Sequence, residues 1–370
     1  MSSRSRKLEE AYCWIRAYID ENQFSANNKL PSENAISMKL GISRDTVRNA
    51  MSELAEEGLV YRIRGSGTFI NKAAALSDES LTMKNQLKIG LILQGQDRNA
   101  NSGLISGIKS VLHETNAVLR IFFTDNRFAS ERNCLNSVVH QNFDGFIIDG
   151  VKASIINPNL DCYYNIFNKK IPVIFYNNYY KELKYPKVIN NDLACADELL
   201  RRLIKVGHKH IAGIFVSDNY QSIEKFRGYV TAMQKYGAKF DDDNVKWCVS
   251  SEAYKIEFAK EIARFVKSVP QCRAIVCCNY MIMQTVLQVL AGLNKKVPDD
   301  YSIVCFDYSK DDWQQAGITC SVHPGFAMGV EVSRRLLKMI KSKQFCGNDF
   351  SYVFEPNIYD GRSIEPRNDR

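Results

Sequence analysis

The stretch LPSENAISMKLGISRDTVRNAMSELAEEGLVYRIRGSGTFI, residues 30–70, decides how the first part of this chain folds. Ser32, which follows a proline, predicts the start of a short helix that ends at Gly41. A second helix is expected to run from Arg44 to the glycine at Gly58. Because two strand-like segments around a glycine turn follow at once, the sequence predicts a winged helix-turn-helix.

The second predicted helix has two different faces. Apolar residues recur every three or four positions on one side, which indicates the buried face. The opposite side carries polar residues in its first two turns, namely Ser43, Arg44, Thr46, Arg48 and Asn49. Arginine can grip guanine or phosphate, Asn can read adenine, and the N-terminus of a helix adds free backbone N–H groups. This surface therefore has the chemistry needed to read double-stranded DNA.

The predicted wing extends the same surface. Arg62, Arg64 and Gly67 belong to it, and its glycine turn is narrow enough to enter an adjacent groove. By itself, a capped amphipathic helix with two arginines is more often a solvated surface. The order and spacing of the whole stretch favour the DNA-binding interpretation.

The segments PSE, LGISR, TVR, EEGLV and RGSGTFI resemble, in this order, the DNA-binding domain of GntR-family regulators over residues 6–72. The resemblance implies that four residues fall where this family touches DNA: Arg44, Thr46, Arg48 and Gly67. One position departs from the pattern, since Asn34 stands where many members have arginine. The departure implies that one phosphate contact is missing or replaced.

Composition limits the class of protein. A chain of 370 residues with 45% hydrophobic and 24% charged residues is expected to form two or three globular domains. The net charge of +8 permits a nucleic-acid partner, although residues 1–72 hold 11 lysines and arginines against 9 carboxylates. The 11 cysteines are odd in number and lack a C-x-x-C motif, which predicts reduced core residues of a cytoplasmic protein. No signal segment or membrane span is expected.

Strand and helix patterns alternate from Lys88 onwards, which predicts an α/β fold with parallel sheets. The alternation occurs twice, so two doubly wound lobes are expected, with the chain crossing between them near residues 190 and 320. Ligands of such sheets bind beyond the carboxyl ends of the strands, in this case in a cleft between the lobes. The predicted boundaries are a DNA-binding domain at 1–72, a linker at 73–86, a two-lobed domain at 87–362 and a tail at 363–370.

A second resemblance covers residues 87 to about 362. The segments DGFII, IPVIFYNN, KVGHKHIAGI, RGYVTAM, AIVCCN, VPDDYSIVCFD and TCSVHP resemble the effector domain of LacI/GalR regulators, which is similar to periplasmic sugar-binding proteins. A GntR-type head on such a body resembles the arabinose-repressor type, and NNYYKEL and SVHPGFAMG match that subgroup. The resemblance implies a homodimer that binds operator DNA and responds to a monosaccharide, with L-arabinose favoured by resemblance alone.

The same resemblance implies where the sugar binds. Asn279, Asp307 and Lys225 stand at positions that hold sugar hydroxyls, and Asn177 and His323 occupy two further cleft positions. Lys225 departs from the family, which has arginine there, so the bidentate hydrogen bonding of a guanidinium group to neighbouring hydroxyls is lost. The structural alternatives are that Asn279 only caps a helix and that Asp307 is a turn residue. Candidates for a stacking aromatic, which the sequence does not rank, are Tyr179, Tyr220, Tyr308 and Trp313.

The sequence favours no catalytic function. It contains no P-loop, G-x-S-x-G, H-E-x-x-H or dinucleotide fingerprint, and His208 and His210 lack partners at metal-ligand spacing. We therefore expect neither an enzyme nor a metal or cofactor. Three other readings stay open at this point: an enzyme domain fused to the DNA-binding head, a non-sugar effector, and a second domain that only dimerises.

Overall fold

The computed structural model describes residues 6–22, 29–56, 59–63, 67–70, 86–95, 98–139, 141–253, 255–308, 317–345 and 347–366. The chain forms two compact units, Met1–Gln86 and Leu87–Arg370. The predicted linker at 73–86 lies, apart from Gln86, outside the described residues.

The first unit is a winged helix-turn-helix, as predicted. Its elements are α1 (Arg6–Asn22), α2 (Glu33–Leu40), α3 (Arg44–Glu56), β1 (Val60–Ile63) and β2 (Gly67–Ile70), the two strands being antiparallel. The Ser32 hydroxyl accepts a hydrogen bond from the Ala35 N–H at 3.2 Å, which caps α2. Gly41 ends α2 in the left-handed region, with φ +66°, a conformation that favours glycine.

The second unit contains two lobes. The first, here the N lobe, has six parallel strands in the order β13-β7-β6-β5-β3-β4. The strands are β3 (Leu87–Leu93), β4 (Ala117–Phe123), β5 (Gly145–Ile148), β6 (Val173–Tyr176), β7 (Lys187–Asn190) and β13 (Tyr352–Phe354). The helices that cover this sheet are α4 (Arg98–His113), α5 (Phe128–Val139), α6 (Leu160–Asn168) and α11 (Gly325–Ser342). Gly107 and Gly329 allow α4 and α11 to pack closely, since a Cβ on either would lie within 2.2 Å of a backbone oxygen of the other helix.

The C lobe has the strand order β14-β12-β11-β10-β8-β9, with all pairs parallel except β12 and β14. Its strands are β8 (Ile211–Val216), β9 (Val245–Cys248), β10 (Ala274–Cys277), β11 (Ser302–Tyr308), β12 (Thr319–Val322) and β14 (Ile358–Tyr359). Its helices are α7 (Asp192–Lys205), α8 (Tyr220–Lys235), α9 (Ile256–Ser268) and α10 (Tyr280–Gly292). Strands such as β8 and β10 are buried along their whole length, as expected of parallel strands covered on both faces.

Three crossovers connect the lobes. The first lies at Asn191, between β7 and α7, and the second at 323–324, between β12 and α11. Both agree with the crossings predicted near 190 and 320. The third, at 355–357 between β13 and β14, was not predicted because strands of three and two residues carry too little periodic pattern.

The predicted tail at 363–370 requires a correction. Ser363 is buried, and its hydroxyl donates to the Ile303 carbonyl at 2.6 Å and accepts from the Thr319 N–H at 2.8 Å. Residues 363–365 therefore pack on the C-lobe sheet. No local pattern predicts this packing, because the contacts join residues more than forty positions apart.

Two properties bear on the class of protein. The cysteines from Cys134 to Cys320 are free thiols, and all except the partly buried Cys134 are buried. Within the described part of the chain, no helix combines the length and the apolar character that a membrane span requires.

Candidate functional site

Helix α3 exposes the polar residues that the sequence singled out. Ser43, Arg44, Arg48 and Asn49 are exposed and Thr46 is partly exposed, while the buried face consists of Val47, Ala50, Met51 and Leu54. The hydroxyls of Ser43 and Thr46 lie 2.7 Å apart, and the Ser43 hydroxyl accepts from the Thr46 N–H at 3.2 Å. Ser43 thus caps the helix, and the exposed side chains surround its N-terminus.

An acidic residue that the sequence analysis missed connects α3 to the wing. The Glu33 carboxylate lies 3.3 Å from Arg48 Nη2 and 3.4 Å from Arg62 Nη2. Arg48 also pairs with Asp45 at 3.2 Å. Glu33 is the acidic residue of the PSE segment, and its partners are 15 and 29 residues away, so only the fold reveals this contact.

The wing presents Arg62 and Gly67 beside this helix. Gly67 has φ +123°, which strains any other residue, and an added Cβ would lie 2.8 Å from Lys29 Cε. Arg62 is 44% exposed. Arg64 lies outside the described residues. The structure thus brings the predicted residues of α3 and the described part of the wing to one surface.

In the N lobe, polar side chains follow the carboxyl ends of three neighbouring strands. Asp149 follows β5, and Gln94 follows β3. The Oδ1 atom of Asp149 accepts hydrogen bonds from Asn178 Nδ2 at 2.9 Å and Gln94 Nε2 at 3.3 Å. Burial raises the pKa of Asp149 to about 7, and the hydrogen bonds from Asn178 oppose that rise. Asn177 follows β6 with φ +55°, a left-handed conformation that asparagine tolerates better than most residues.

In the C lobe, two predicted residues form a buried ion pair. Lys225 of α8, with 3% of its side chain exposed, pairs with the Asp307 carboxylate and also donates to the Cys278 carbonyl at 3.2 Å. Burial alone would lower the pKa of Lys225, but Asp307 and Asp192 raise it above its ordinary value. Lys225 therefore stays charged.

Asp307 reaches this position through an irregularity in β11. It has φ +56°, and the register of β11 against β12 shifts between Cys305 and Tyr308. Such a bulge redirects a side chain at the end of a strand. The alternative that Asp307 is an ordinary turn residue is thus not what the structure shows.

His323 connects the second crossover to the N lobe. Its Nε2 lies 3.3 Å from Asn177 Oδ1, so these two predicted residues meet. Desolvation lowers the pKa of His323, Asp307 opposes that effect, and Lys225 adds to it. The ring is therefore neutral at pH 7 and offers one hydrogen-bond donor and one acceptor.

Asn279 caps α10, as the structural alternative supposed. Its Oδ1 accepts from the Ile282 N–H at 2.9 Å. Within the described part of the chain its Nδ2 has no hydrogen-bond partner, which leaves a donor at the carboxyl end of β10. Capping and ligand contact are therefore compatible in this residue.

The aromatic candidates differ in position. Tyr179 and Tyr220 form an edge-to-face pair between the lobes, with ring centroids 4.5 Å apart and hydroxyl oxygens 2.9 Å apart. Tyr308 is buried against Tyr280 inside the C lobe, and Trp313 lies outside the described residues. Other contacts also join the lobes, since the Gln221 N–H donates to Asn178 Oδ1 at 3.3 Å.

Two surface cavities of the C lobe lie away from these residues. One of about 300 Å³ is lined by His208 and Ser302 at the amino ends of the strands, and one of about 790 Å³ adjoins Glu355. His208 is buried, with Nε2 2.9 Å from the Ser302 hydroxyl. This contact agrees with the interpretation of His208 as a structural residue.

Two known families match separate parts of the chain. Residues 7–70 match the family described as bacterial regulatory proteins, gntR family. Residues 200–348 match the family described as periplasmic binding protein-like domain.

Known proteins match much more of the chain. An arabinose metabolism transcriptional repressor of Halalkalibacterium halodurans is 29% identical over 93% of this chain and 92% of its own length. The transcription regulator CcpA of Lactococcus lactis matches in structure with a TM-score of 0.66 at 20% identity, over 76% of this chain and all of that one. A ribose-bound LacI-family regulator of Enterococcus faecium has a TM-score of 0.64 at 19% identity, over 76% of this chain and all of that one. The chain therefore joins a winged helix-turn-helix that matches the gntR family to a domain that matches the periplasmic binding protein-like family, and it is similar to arabinose metabolism repressors along most of its length.

Proposed function

We propose that this chain is a sugar-responsive transcriptional repressor that acts in the cytoplasm. In this proposal a homodimer binds operator DNA through α3 and the wing, and a monosaccharide between the lobes releases or rearranges it. The observation that carries the proposal is the pairing, in one chain, of an exposed Arg/Thr/Asn surface on α3 with a polar cluster at the carboxyl ends of two sheets. The full-length similarity to arabinose metabolism repressors supports both parts and favours L-arabinose as the effector.

The chemistry of the cluster suits an uncharged polyol. Lys225, its buried cation, is already paired with Asp307, so a phosphate group would have to displace a carboxylate. Sugar hydroxyls both donate and accept, which matches the carboxylates, the Asn279 amide and the neutral His323 ring. Burying such a ligand is favourable only when its polar groups find partners of this kind.

The crossovers explain how binding would be transmitted. His323 belongs to the second crossover and touches Asn177 of the N lobe, while Lys225 and Asp307 belong to the C lobe. A ligand that contacts both lobes favours the lobe arrangement to which it binds better, and only by that difference in affinity. We expect this change to alter the dimer, and with it the fit to two half-sites about 34 Å apart or a multiple of that spacing.

The first test is calorimetric titration of the full chain with L-arabinose, D-xylose, D-ribose and D-galactose. Operator DNA selected from random sequences is then titrated with and without each sugar that binds. We expect one pentose to bind and to weaken operator binding. Equal operator binding with and without every sugar would refute the coupling.

Substitutions separate the two parts of the proposal. Arg48→Ala is expected to weaken operator binding and to reduce its salt dependence, while sugar affinity stays unchanged. Asp307→Ala is expected to abolish sugar binding while operator binding persists. Arg227→Ala, which removes an arginine with 67% of its side chain exposed in the C lobe, is the matched control for Arg48. If Arg48→Ala and Asp307→Ala impair the same activity, the division is wrong.

The alternative is a second domain that responds to a non-sugar effector or only dimerises. A thermal-shift screen with sugars, amino acids and nucleosides separates these possibilities from the proposed function. A ligand at a hundredfold excess over its Kd stabilises the folded protein by about 2.7 kcal/mol. A shift with a sugar alone favours the proposed function. A shift with another class of compound identifies a different effector, and no shift with any compound favours dimerisation.

A further inference from the structure

Asp192 is a buried carboxylate at the point where the chain enters the C lobe. It is the first residue of α7 and directly follows the first crossover. Only 6% of the residue is exposed. Asn191, immediately before it, caps α7 by accepting from the Ala194 N–H at 3.2 Å, so Asp192 is not needed as the cap.

The Asp192 carboxylate lacks a partner within the described part of the chain. It makes neither a hydrogen bond nor an ion pair there, because the nearby ammonium group of Lys225 pairs with Asp307. Buried carboxylates without a partner are costly, and most of those in folded proteins are hydrogen-bonded. Its oxygens are not fully enclosed, so the donors can come from the solvent side, where a ligand would bind.

The surroundings of Asp192 indicate which donor would fit. Lys225, Asp307 and Glu224 act on it electrostatically, which places it beside the cluster at the carboxyl ends of the C-lobe strands. Burial raises the pKa of Asp192 to about 8, with Lys225 acting in the opposite direction. At pH 7 a carboxyl group with this pKa is mostly protonated, so Asp192 offers acceptor oxygens and one O–H donor, which a ligand rich in hydroxyl groups can match.

We propose that Asp192 is an effector contact whose two carboxyl oxygens accept hydrogen bonds from hydroxyl groups of the sugar bound beside Lys225 and Asp307. The proposal rests on the proposed function, and it adds a residue that no motif indicated. It also specifies the ligand, which must present hydroxyl groups at this point.

The position of Asp192 gives the contact a second consequence. The backbone N–H of Asn191 donates to the Phe354 carbonyl at 3.0 Å, so the first crossover is bonded to the strand that leads into the third. A hydroxyl held by Asp192 therefore acts directly on the segment about which the lobes move. Its loss should weaken the sugar response and leave unliganded DNA binding unchanged.

The experiment compares Asp192→Asn with Asp197→Asn in the full chain. Asp197 is on the same helix but pairs with Lys235 at 2.9 Å, so it is a matched control for the loss of one carboxylate from α7. Each variant is titrated calorimetrically with L-arabinose, D-xylose, D-ribose and D-galactose. For a sugar that binds, its monodeoxy analogues are also titrated. Thermal unfolding of each variant reports folding.

Asparagine keeps one of the two acceptor oxygens, so we expect Asp192→Asn to bind the sugar about 2- to 12-fold more weakly, the range for one lost hydrogen bond between uncharged groups, while Asp197→Asn binds like the wild type. One monodeoxy analogue should bind the wild type more weakly but lose little further affinity in Asp192→Asn. The unfolding midpoint of Asp192→Asn should not fall, because the substitution replaces a buried ionisable group with a neutral one of the same size. Asp192→Ala repeats the test without any polar group.

The possible failures are distinguishable. If the wild type binds a sugar and Asp192→Asn binds it equally well, the Asp192 contact is refuted while the proposed function stands. If every analogue loses the same affinity in wild type and variant, the hydroxyl contact is refuted. If the wild type binds none of the sugars, the proposed function fails, and the contact fails with it.

Discussion

Replacing Lys225 with methionine tests the buried ion pair at the centre of the proposed effector site. Methionine has a similar length and no charge, so Lys225→Met leaves the Asp307 carboxylate, 18% exposed, and the buried Asp192 carboxylate without their cation. Removing one partner of a buried pair costs about 3–5 kcal/mol, because the remaining charge stays desolvated. Asp307 can still reach water, so we expect the lower part of that range.

The expected loss depends on pH in a definite direction. Without the ammonium group, the folded-state pKa of Asp192, which burial already raises, rises further above its unfolded value. A carboxyl group whose pKa is raised on folding lowers the free energy of unfolding as pH increases from its unfolded pKa to its folded pKa. Lys225→Met should therefore be less destabilised at pH 5 than at pH 8. The double variant Lys225→Met/Asp307→Asn should regain most of the loss, since only Asp192 then remains unpaired.

Urea unfolding followed by circular dichroism measures these differences. With an m value of about 3 kcal/mol per molar, a loss of 3 kcal/mol moves the midpoint by about 1 M. Lys246→Met is the control, because Lys246 and Glu261 form a more exposed pair at 2.9 Å that is worth about 1 kcal/mol at most. The reasoning is refuted if Lys225→Met at pH 8 shifts the midpoint no more than the control does, or if adding Asp307→Asn restores nothing.

Three further predictions follow from contacts elsewhere. Glu33→Gln removes the carboxylate shared by two arginines of the DNA-reading surface, so filter binding should show affinity for random DNA a few-fold higher at low salt; unchanged affinity would contradict this. Tyr179→Phe removes the hydroxyl contact with Tyr220 between the lobes. The sugar concentration that releases half of the protein from operator DNA should then change about 2- to 12-fold, which is equivalent to about 0.5–1.5 kcal/mol. An unchanged concentration would show that this contact does not favour either lobe arrangement. Asp149→Asn should raise the free energy of unfolding more at pH 8 than at pH 5. The wild-type carboxyl group has a pKa of about 7 in the folded protein, so it lowers the folding stability as pH rises from about 4. Equal effects at both pH values would exclude burial of Asp149 as the cause.

Much of the fold was predictable because its signals are local. Apolar runs such as KIGLIL mark buried parallel strands, and apolar residues at three- and four-residue spacing mark the buried face of α3. Caps and stops at Ser32 and Gly41 also depend only on neighbouring residues. The two fold types and two of the three crossovers followed from these patterns.

The candidate site was predictable only in part. Resemblance indicated Lys225 and Asp307, but their ion pair joins residues 82 positions apart. Asp192 and Glu33 were missed because nothing in their local sequence shows that one is buried without a partner and that the other pairs with two arginines. A charged residue at the start of a helix is ordinarily read as a favourable interaction with the helix dipole.

The sequence by itself determined the order of the elements, the winged helix-turn-helix and the double α/β alternation, because hydrophobic periodicity and turn chemistry act over a few residues. Tertiary structure alone decided which carboxyl groups lie near Lys225, where the third crossover runs and how residues 363–365 join the C-lobe sheet. These features depend on burial and on distances between remote segments. Both quantities exist only once the sheets have assembled, since desolvation and charge pairing are properties of the packed site and not of the residue.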